Sequence, residues 1–216
     1  MRRFQWYKSG AIAGLAVVIG LTGCIPEDPD PRDDLGEEGV KPAGVSELIS
    51  DEELDDLVDR GAQVFWGDEP PSVEGTYLAT GSEITLEEEY PHMVGRSIVN
   101  ALVTIEALED DEIWIERQEE DGQFVEGLGG YVSGHGQCFT LFVDSVQTRE
   151  IEGDDDPEPC TLTQFELYSG CIVDGDYHYF HNSAVVTEHV EGDCEGNVRE
   201  PGYLRIIESD VPARAQ

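Results

Sequence analysis

Five histidines, five cysteines and 48 carboxylates are the groups with which this chain could do chemistry. Two imidazoles fall close together in Tyr177-His178-Tyr179-Phe180-His181. On a regular strand, positions three apart point to opposite faces, so one metal cannot take both unless a bulge intervenes. His92 follows Pro91, His135 lies in a glycine turn, and His189 stands apart. There is no HExxH, and packing or surface roles account for all five. Ser133 precedes Gly134 as in a nucleophile elbow, but that turn needs a glycine two residues earlier, where Tyr131 stands. Asp154, Asp155, Asp156 and Glu158 are the best calcium candidate, because they put several carboxylates in one loop. They lack the alternation and glycine of an EF-hand, and acid is so abundant here that such runs arise by chance. No catalytic residue, metal site or cofactor is assigned, and a non-enzymatic protein is expected.

Charge narrows the partners. Arg2, Arg3 and Lys8 sit in the first 23 residues, which hold no acid, so nine basic and 48 acidic residues follow, a net of −39. Nucleic acid is excluded as a partner, since phosphate binding needs clustered Lys and Arg. Docking of the protein surface on anionic lipid is disfavoured for the same reason. Lys41 is the only lysine after residue 23. Such a composition fits a saline source, in which salt screens the self-repulsion; the melting temperature should then rise with salt.

Any reactive group must be held by the elements around it. Residues 46–61 are expected to form a helix. Ser50 with Glu53 makes a capping box, Leu54, Leu57 and Val58 give an apolar stripe, and Gly61 is a stop. From Gly75 the texture changes to β-branched and apolar runs cut by Gly, Pro, Asp and Asn. Strands are predicted at Gly75–Thr80, Glu83–Glu88, Val94–Leu108, Glu112–Gln118, Gly129–Ser133, Gln137–Thr148, Thr161–Val173, Tyr177–Val190 and Gly202–Glu208. This is the pattern of an all-β domain, an antiparallel β-barrel or sandwich over residues 62–210, with 211–216 as a C-terminal tail.

The N-terminus reads as an export signal. Arg2, Arg3 and Lys8 precede an uncharged apolar run from Gly10 to Leu21, and Gly23 puts a small residue at a cleavage position. A spanning helix needs about 20 apolar residues, and Pro26, Glu27 and Asp28 end the run too soon. The tetrad Leu21-Thr22-Gly23-Cys24 resembles the lipobox of bacterial lipoproteins. That resemblance implies a signal peptide over residues 1–23, a Cys24 thiol alkylated with diacylglycerol, and a mature chain that begins at this acylated cysteine. The bilayer is then a partner through Cys24, and more than one acyl chain, palmitate among them, makes the anchor stable. Ile25 stands where an Asp would favour the inner membrane in that family, which implies an outer-membrane lipoprotein. Residues 24–45, rich in Pro and acid, form an extended tether.

With Cys24 acylated, Cys138, Cys160, Cys171 and Cys194 remain. No two are spaced as CxxC, so two disulfides are expected rather than zinc. A hairpin folded near residue 155 sets Cys138 opposite residue 172. A hairpin folded at Gly175 sets Cys160 opposite residue 190. Cross-strand reach of about 4–7 Å between Cα atoms suits a disulfide. The geometry favours Cys138 with Cys171 and, less directly, Cys160 with Cys194.

Two stretches carry a further likeness. Glu69-Pro70-Pro71-Ser72-Val73-Glu74-Gly75-Thr76-Tyr77 resembles the entry to the first strand in a family of uncharacterised bacterial exported lipoproteins. Tyr131-Val132-Ser133-Gly134-His135-Gly136 followed by Phe139-Thr140-Leu141-Phe142 resembles a turn and strand of that family, as do Tyr168-Ser169-Gly170 and Pro201-Gly202-Tyr203-Leu204-Arg205. Gly75-Thr76-Tyr77 is also distantly similar to the Gly-x-Trp start of lipocalins, which implies a lipocalin-like barrel. A barrel of about eight strands can hold one small apolar ligand. Tyr131, Phe139, Phe142, Phe165, Tyr168, Tyr179 and Phe180 are the candidate lining residues. The expected function is an envelope lipoprotein that binds a small apolar ligand or a surface partner; a purely structural module and an unrecognised hydrolase are the alternatives.

Overall fold

The computed structural model describes residues 41–108, 112–120, 123–149, 159–191 and 200–216. Two short helices come first, α1 (Val45–Leu48) and α2 (Asp51–Asp59). The single helix expected over 46–61 is thus broken at Ile49 and Ser50, both in extended conformation. The capping box causes the break. The Glu53 amide donates to Ser50 Oγ at 3.3 Å and the Ser50 amide donates to the Glu53 carboxylate at 3.2 Å. A residue in that role must leave helical backbone. Gly61, with φ +113°, ends α2 where a side chain would be strained.

Apart from a 3-10 turn at Pro91–Met93, the other regular elements among the described residues are strands: β1 (Asp68–Glu69), β2 (Gly75–Ala79), β3 (Glu83–Glu87), β4 (Ala101–Ala107), β5 (Glu112–Glu119), β6 (Phe124–His135), β7 (Cys138–Arg149), β8 (Cys160–Val173), β9 (Asp176–Glu191), β10 (Leu204–Ser209) and β11 (Arg214–Ala215). They form one sheet in the order β11-β2-β4-β5-β6-β7-β8-β9-β10-β3, antiparallel throughout, with β1 parallel beside β6. The sheet curls and its edges meet. At one end Ala213 and Tyr177 exchange two backbone hydrogen bonds, so the chain entering β11 joins β9 to β2. At the other, the amides of Ile84, Gly95 and Ile98 ladder β3 to residues 95–98, which lead into β4. This barrel-like closure agrees with the all-β expectation.

Three boundaries differ from the expectation. The strand predicted from Val94 begins only at Ala101, because residues 94–100 follow a 3-10 turn at Pro91–Met93 and serve as the closing rim. The strand predicted over Gly129–Ser133 runs from Phe124 to His135, its glycines tolerated where a Cβ would strike Ile115, Val143 or the Phe142 carbonyl. Residues 211–216 are not a tail, since Ala213 to Gln216 close the barrel.

The β7–β8 register sets Cys138 directly opposite Cys171, one residue from the predicted register, and the predicted disulfide between them is formed across 3.9 Å between Cα atoms. Cys160 is also disulfide-bonded. Its expected partner Cys194 lies outside the described residues, as do Cys24, the leader, the tether to residue 40, and Asp154, Asp155, Asp156 and Glu158.

Strand alternation sorts side chains into two cores. Tyr77, Ile105, Ile115, Phe139, Leu141, Tyr168, Tyr177 and Phe180 fill the barrel. Outside, Phe142, Phe165, Leu167, Leu204 and Ile206 pack under Val45, Leu54 and Leu57 of the helices. Arg60 ties α2 down by ion pairs to Asp56 and Glu88 and a bond to the Gly202 carbonyl.

Candidate functional site

The barrel interior is apolar towards the disulfide end and polar towards the rim. Alternation along β5 places Ile113, Ile115, Arg117 and Glu119 on the inner face. Along β8 it places Leu162, Gln164, Glu166 and Tyr168 there, all buried. Arg117 is 6% exposed. Its Nη1 donates at 3.1 Å to each of Glu166 Oε1, Tyr168 OH and Asn182 Oδ1. Its Nε lies 3.2 Å from Glu119 Oε1 without the alignment of a hydrogen bond. Glu166 also accepts from Ser145 Oγ at 2.8 Å and Asn182 Nδ2 at 3.3 Å. Burial works against the charge on Arg117, but Tyr168, Glu166 and Glu119 outweigh it and hold the guanidinium protonated. Burial pushes the Tyr168 phenol well above its ordinary range, so it stays neutral.

Above this cluster lies a cavity of about 410 Å³. Arg117, Glu119, Gln147, Asn182 and Ala184 line its floor, and Ile84, Arg205 and Ile207 its wall. The rim segment supplies Tyr90, His92, Met93, Arg96, Ser97, Ile98 and Val99. Arg205 is ion-paired with Glu87, which is buried. The size falls in the range of small-molecule sites.

A second polar assembly sits on the outer face. Ser133, Thr140, Ser169, His181 and Glu208 lie side by side across β6, β7, β8, β9 and β10. Residues 62–67 cross this row as a strap. The Phe65 amide donates to Thr140 Oγ1 at 2.8 Å, and Ser169 Oγ donates to the Gln63 carbonyl at 2.6 Å. The Gly67 amide donates to Ser133 Oγ at 3.0 Å, and a Cβ on Gly67 would stand 2.1 Å from the Gly134 carbonyl oxygen. The Gln63 amide donates to His181 Nε2 at 3.3 Å. His181 Nδ1 therefore carries the proton and donates to Glu208 Oε1 at 2.9 Å, while Ser183 Oγ sits 2.9 Å from Nε2. Burial holds the His181 imidazole below its usual value, so it is neutral.

Ser183, His181 and Glu208 have the spacing of a serine-hydrolase triad. Access is missing. Ser183 is 2% exposed and His181 4%, and neither lines the cavity at the rim or the outer groove beside α2. His181 holds the strap through the Gln63 amide, with Ser183 and Glu208 bonded to its ring.

The seven aromatic lining candidates do not converge. Phe139, Tyr168 and Phe180 join the filled apolar core, and Tyr131, Phe142 and Phe165 pack under the helices. Tyr179 packs beside the disulfide. None lines the cavity at the rim. Tyr179, with φ +56°, marks a bulge that turns both Tyr177 and Phe180 into the core. His178 and His181 thus register with Cys171 and Ser169 rather than alternating between faces. Among the described residues, no group of three or more His, Cys, Asp or Glu is placed to hold a metal. Ser133 lies within β6 rather than in a turn, and its hydroxyl is bonded to Gly67 of the strap.

Sequence reasoning passed over Arg117, Gln147, Glu166 and Asn182. The signal was present: Arg117 shares the parity of Ile113 and Ile115, and Glu166 that of Leu162 and Tyr168. A charge in phase with core residues is a buried charge.

Compared with protein-family models, with curated proteins and with solved structures, the chain matches none. The likenesses to exported lipoproteins and to lipocalins rest on the residues quoted above.

Proposed function

We propose that this protein is a lipid-anchored envelope lipoprotein whose barrel takes up a small ligand at its polar rim. The observation that carries the reading is the cavity above Arg117, where buried polar groups meet an open space beneath residues 90–99. Ligand uptake at the apolar end is disfavoured, because aromatic side chains occupy it. A ligand with a polar group, rather than a wholly apolar one, suits the site. The leader and lipobox support an acylated Cys24 and an outer-membrane address, with the acidic tether holding the barrel off the bilayer.

Two measurements test this reading. Native mass spectrometry of the protein from its own cells should show a co-purifying small molecule, lost in Ala184→Trp, which plugs the floor. A wild type with no bound molecule, or a variant that keeps it, overturns ligand uptake. Radiolabelled palmitate should enter the wild type and not Cys24→Ser, and equal labelling overturns the anchor.

A further inference from the structure

A buried donor without a hydrogen bond gives the ligand a chemistry. Arg117 saturates Nη1 with three acceptors. Nε makes no hydrogen bond among the described residues, its ion-pair partner Glu119 lying 3.2 Å away, although the side chain is more than nine-tenths buried and lines the cavity. Gln147 lines the same floor and offers a second polar group to the cavity. Leaving a buried donor unpaired costs about 1–3 kcal/mol, and a guanidinium fork matches a carboxylate in two parallel bonds.

Charge points the same way. The chain carries 12 basic and 48 acidic residues, yet the cavity is lined by three arginines and one carboxylate, Glu119. Glu166 and Glu87, counterions of Arg117 and Arg205, are buried and do not line it, while Glu119, the second partner of Arg117, does. A ligand therefore meets Arg205 before its partner and meets Arg117 beside Glu119. Arg96, on the exposed rim, has no carboxylate within ion-pair distance among the described residues. Ile84, Ile98 and Ile207 supply an apolar wall.

We propose that the cavity binds a small organic carboxylate, its anionic group received by Arg117, Gln147 and Arg96 and its apolar body laid along Ile84, Ile98 and Ile207. This rests on the rim being the ligand site. The protein's own negative field opposes the anion at long range, and salt screens that field more than it screens the buried contact. Added salt should accordingly speed association, the reverse of an ordinary exposed arginine site.

The test uses a medium-chain fluorescent carboxylic acid and its matching primary alcohol, titrated at neutral pH into wild type, Arg96→Ala and Ala184→Trp. The acid should bind wild type at least about tenfold more tightly than the alcohol, since charge-assisted bonds are roughly twice as strong as neutral ones. Arg96→Ala should narrow that gap, and Ala184→Trp should abolish both signals. Equal binding of acid and alcohol, lost in Ala184→Trp, overturns the carboxylate and leaves the rim site standing. Binding of neither probe to wild type overturns the carboxylate, while a co-purifying mass lost in Ala184→Trp would still uphold the rim. Binding unchanged in Ala184→Trp overturns both.

Discussion

Two sets of polar groups are buried in this barrel, and they differ in how completely they are used. The outer row from Ser133 to Glu208 is closed. The Ser169 hydroxyl donates to the Gln63 carbonyl, so Thr140 donates to Ser169 and is left to accept from the Phe65 amide. His181 donates on one nitrogen and accepts on the other. The inner cluster is open, with Arg117 Nε and both amide atoms of Gln164 lacking hydrogen bonds among the described residues. A saturated set stabilises and specifies a contact, here the strap. An unsaturated set beside a cavity costs stability. The triad-like trio shows why this distinction matters more than spacing: its geometry fits catalysis, but Ser183 and His181 are buried and His181 accepts from the Gln63 amide of the strap.

The largest predicted effect tests the inner cluster. Arg117→Met leaves Glu166 buried without its cation and should destabilise by about 3–5 kcal/mol. Adding Glu166→Leu should restore most of that loss, since replacing a buried pair by apolar groups is often neutral. Urea unfolding of the single and double variants measures both. If the single variant unfolds like wild type, the cluster is not the buried ion network described here.

The outer row should respond less but without rescue. Ser169→Ala removes a donor from the Gln63 carbonyl and an acceptor from Thr140, at about 1–3 kcal/mol for the groups stranded. Because the strap is the structure stabilised, protease cleavage within residues 62–67 should accelerate. Cleavage at an unchanged rate would show that the row does not hold the strap.

The row also has a pH dependence. Burial lowers the folded-state pKa of His181 below the unfolded value of about 6.5. The unfolded chain therefore binds the proton more readily, and stability falls as pH drops from that value through the folded pKa. Protonation removes the acceptor for the Gln63 amide, and the Glu208 carboxylate opposite compensates only in part, being half exposed. Urea midpoints at neutral and mildly acid pH should diverge in wild type and move closer together in His181→Phe. An unchanged difference in the variant would assign the acid sensitivity elsewhere.

The fold was legible because it depends on local patterns. The capping box at Ser50, the turn at Gly175 and the β-branched runs state the elements directly, and a hairpin count placed Cys138 within one residue of Cys171. The closure was not legible, since a two-residue β11 and the rim at 95–98 have no periodicity to read. The strap was missed because backbone groups of residues 63–67 bind it, and a sequence does not display backbone partners. For the cavity at the rim, aromatic size was no guide. It selected Phe139 and Phe165, which fill two different cores, whereas parity on β5 and β8 would have selected Arg117 and Glu166.

The smallest effect has an unusual sign. Gln164 is 1% exposed, and neither atom of its amide has a partner. It follows the apolar Leu162 in the inward phase of β8, and opposite it across the ladder stands Ser145, whose hydroxyl is committed to Glu166. Gln164→Met keeps the length of the side chain and removes two groups whose burial is uncompensated. The variant should be more stable than wild type by about 1 kcal/mol, because an amide buried without a bond costs about that or more. Thr140→Val, an equally conservative exchange in the closed outer row, should lower stability instead, since it strands the Phe65 amide and an acceptor on Ser169. Opposite signs from two polar-to-apolar exchanges on adjacent strands would separate an open set from a closed one. If both exchanges lower stability, the inner cluster is as saturated as the outer row, and the argument for a ligand beside Arg117 loses its support.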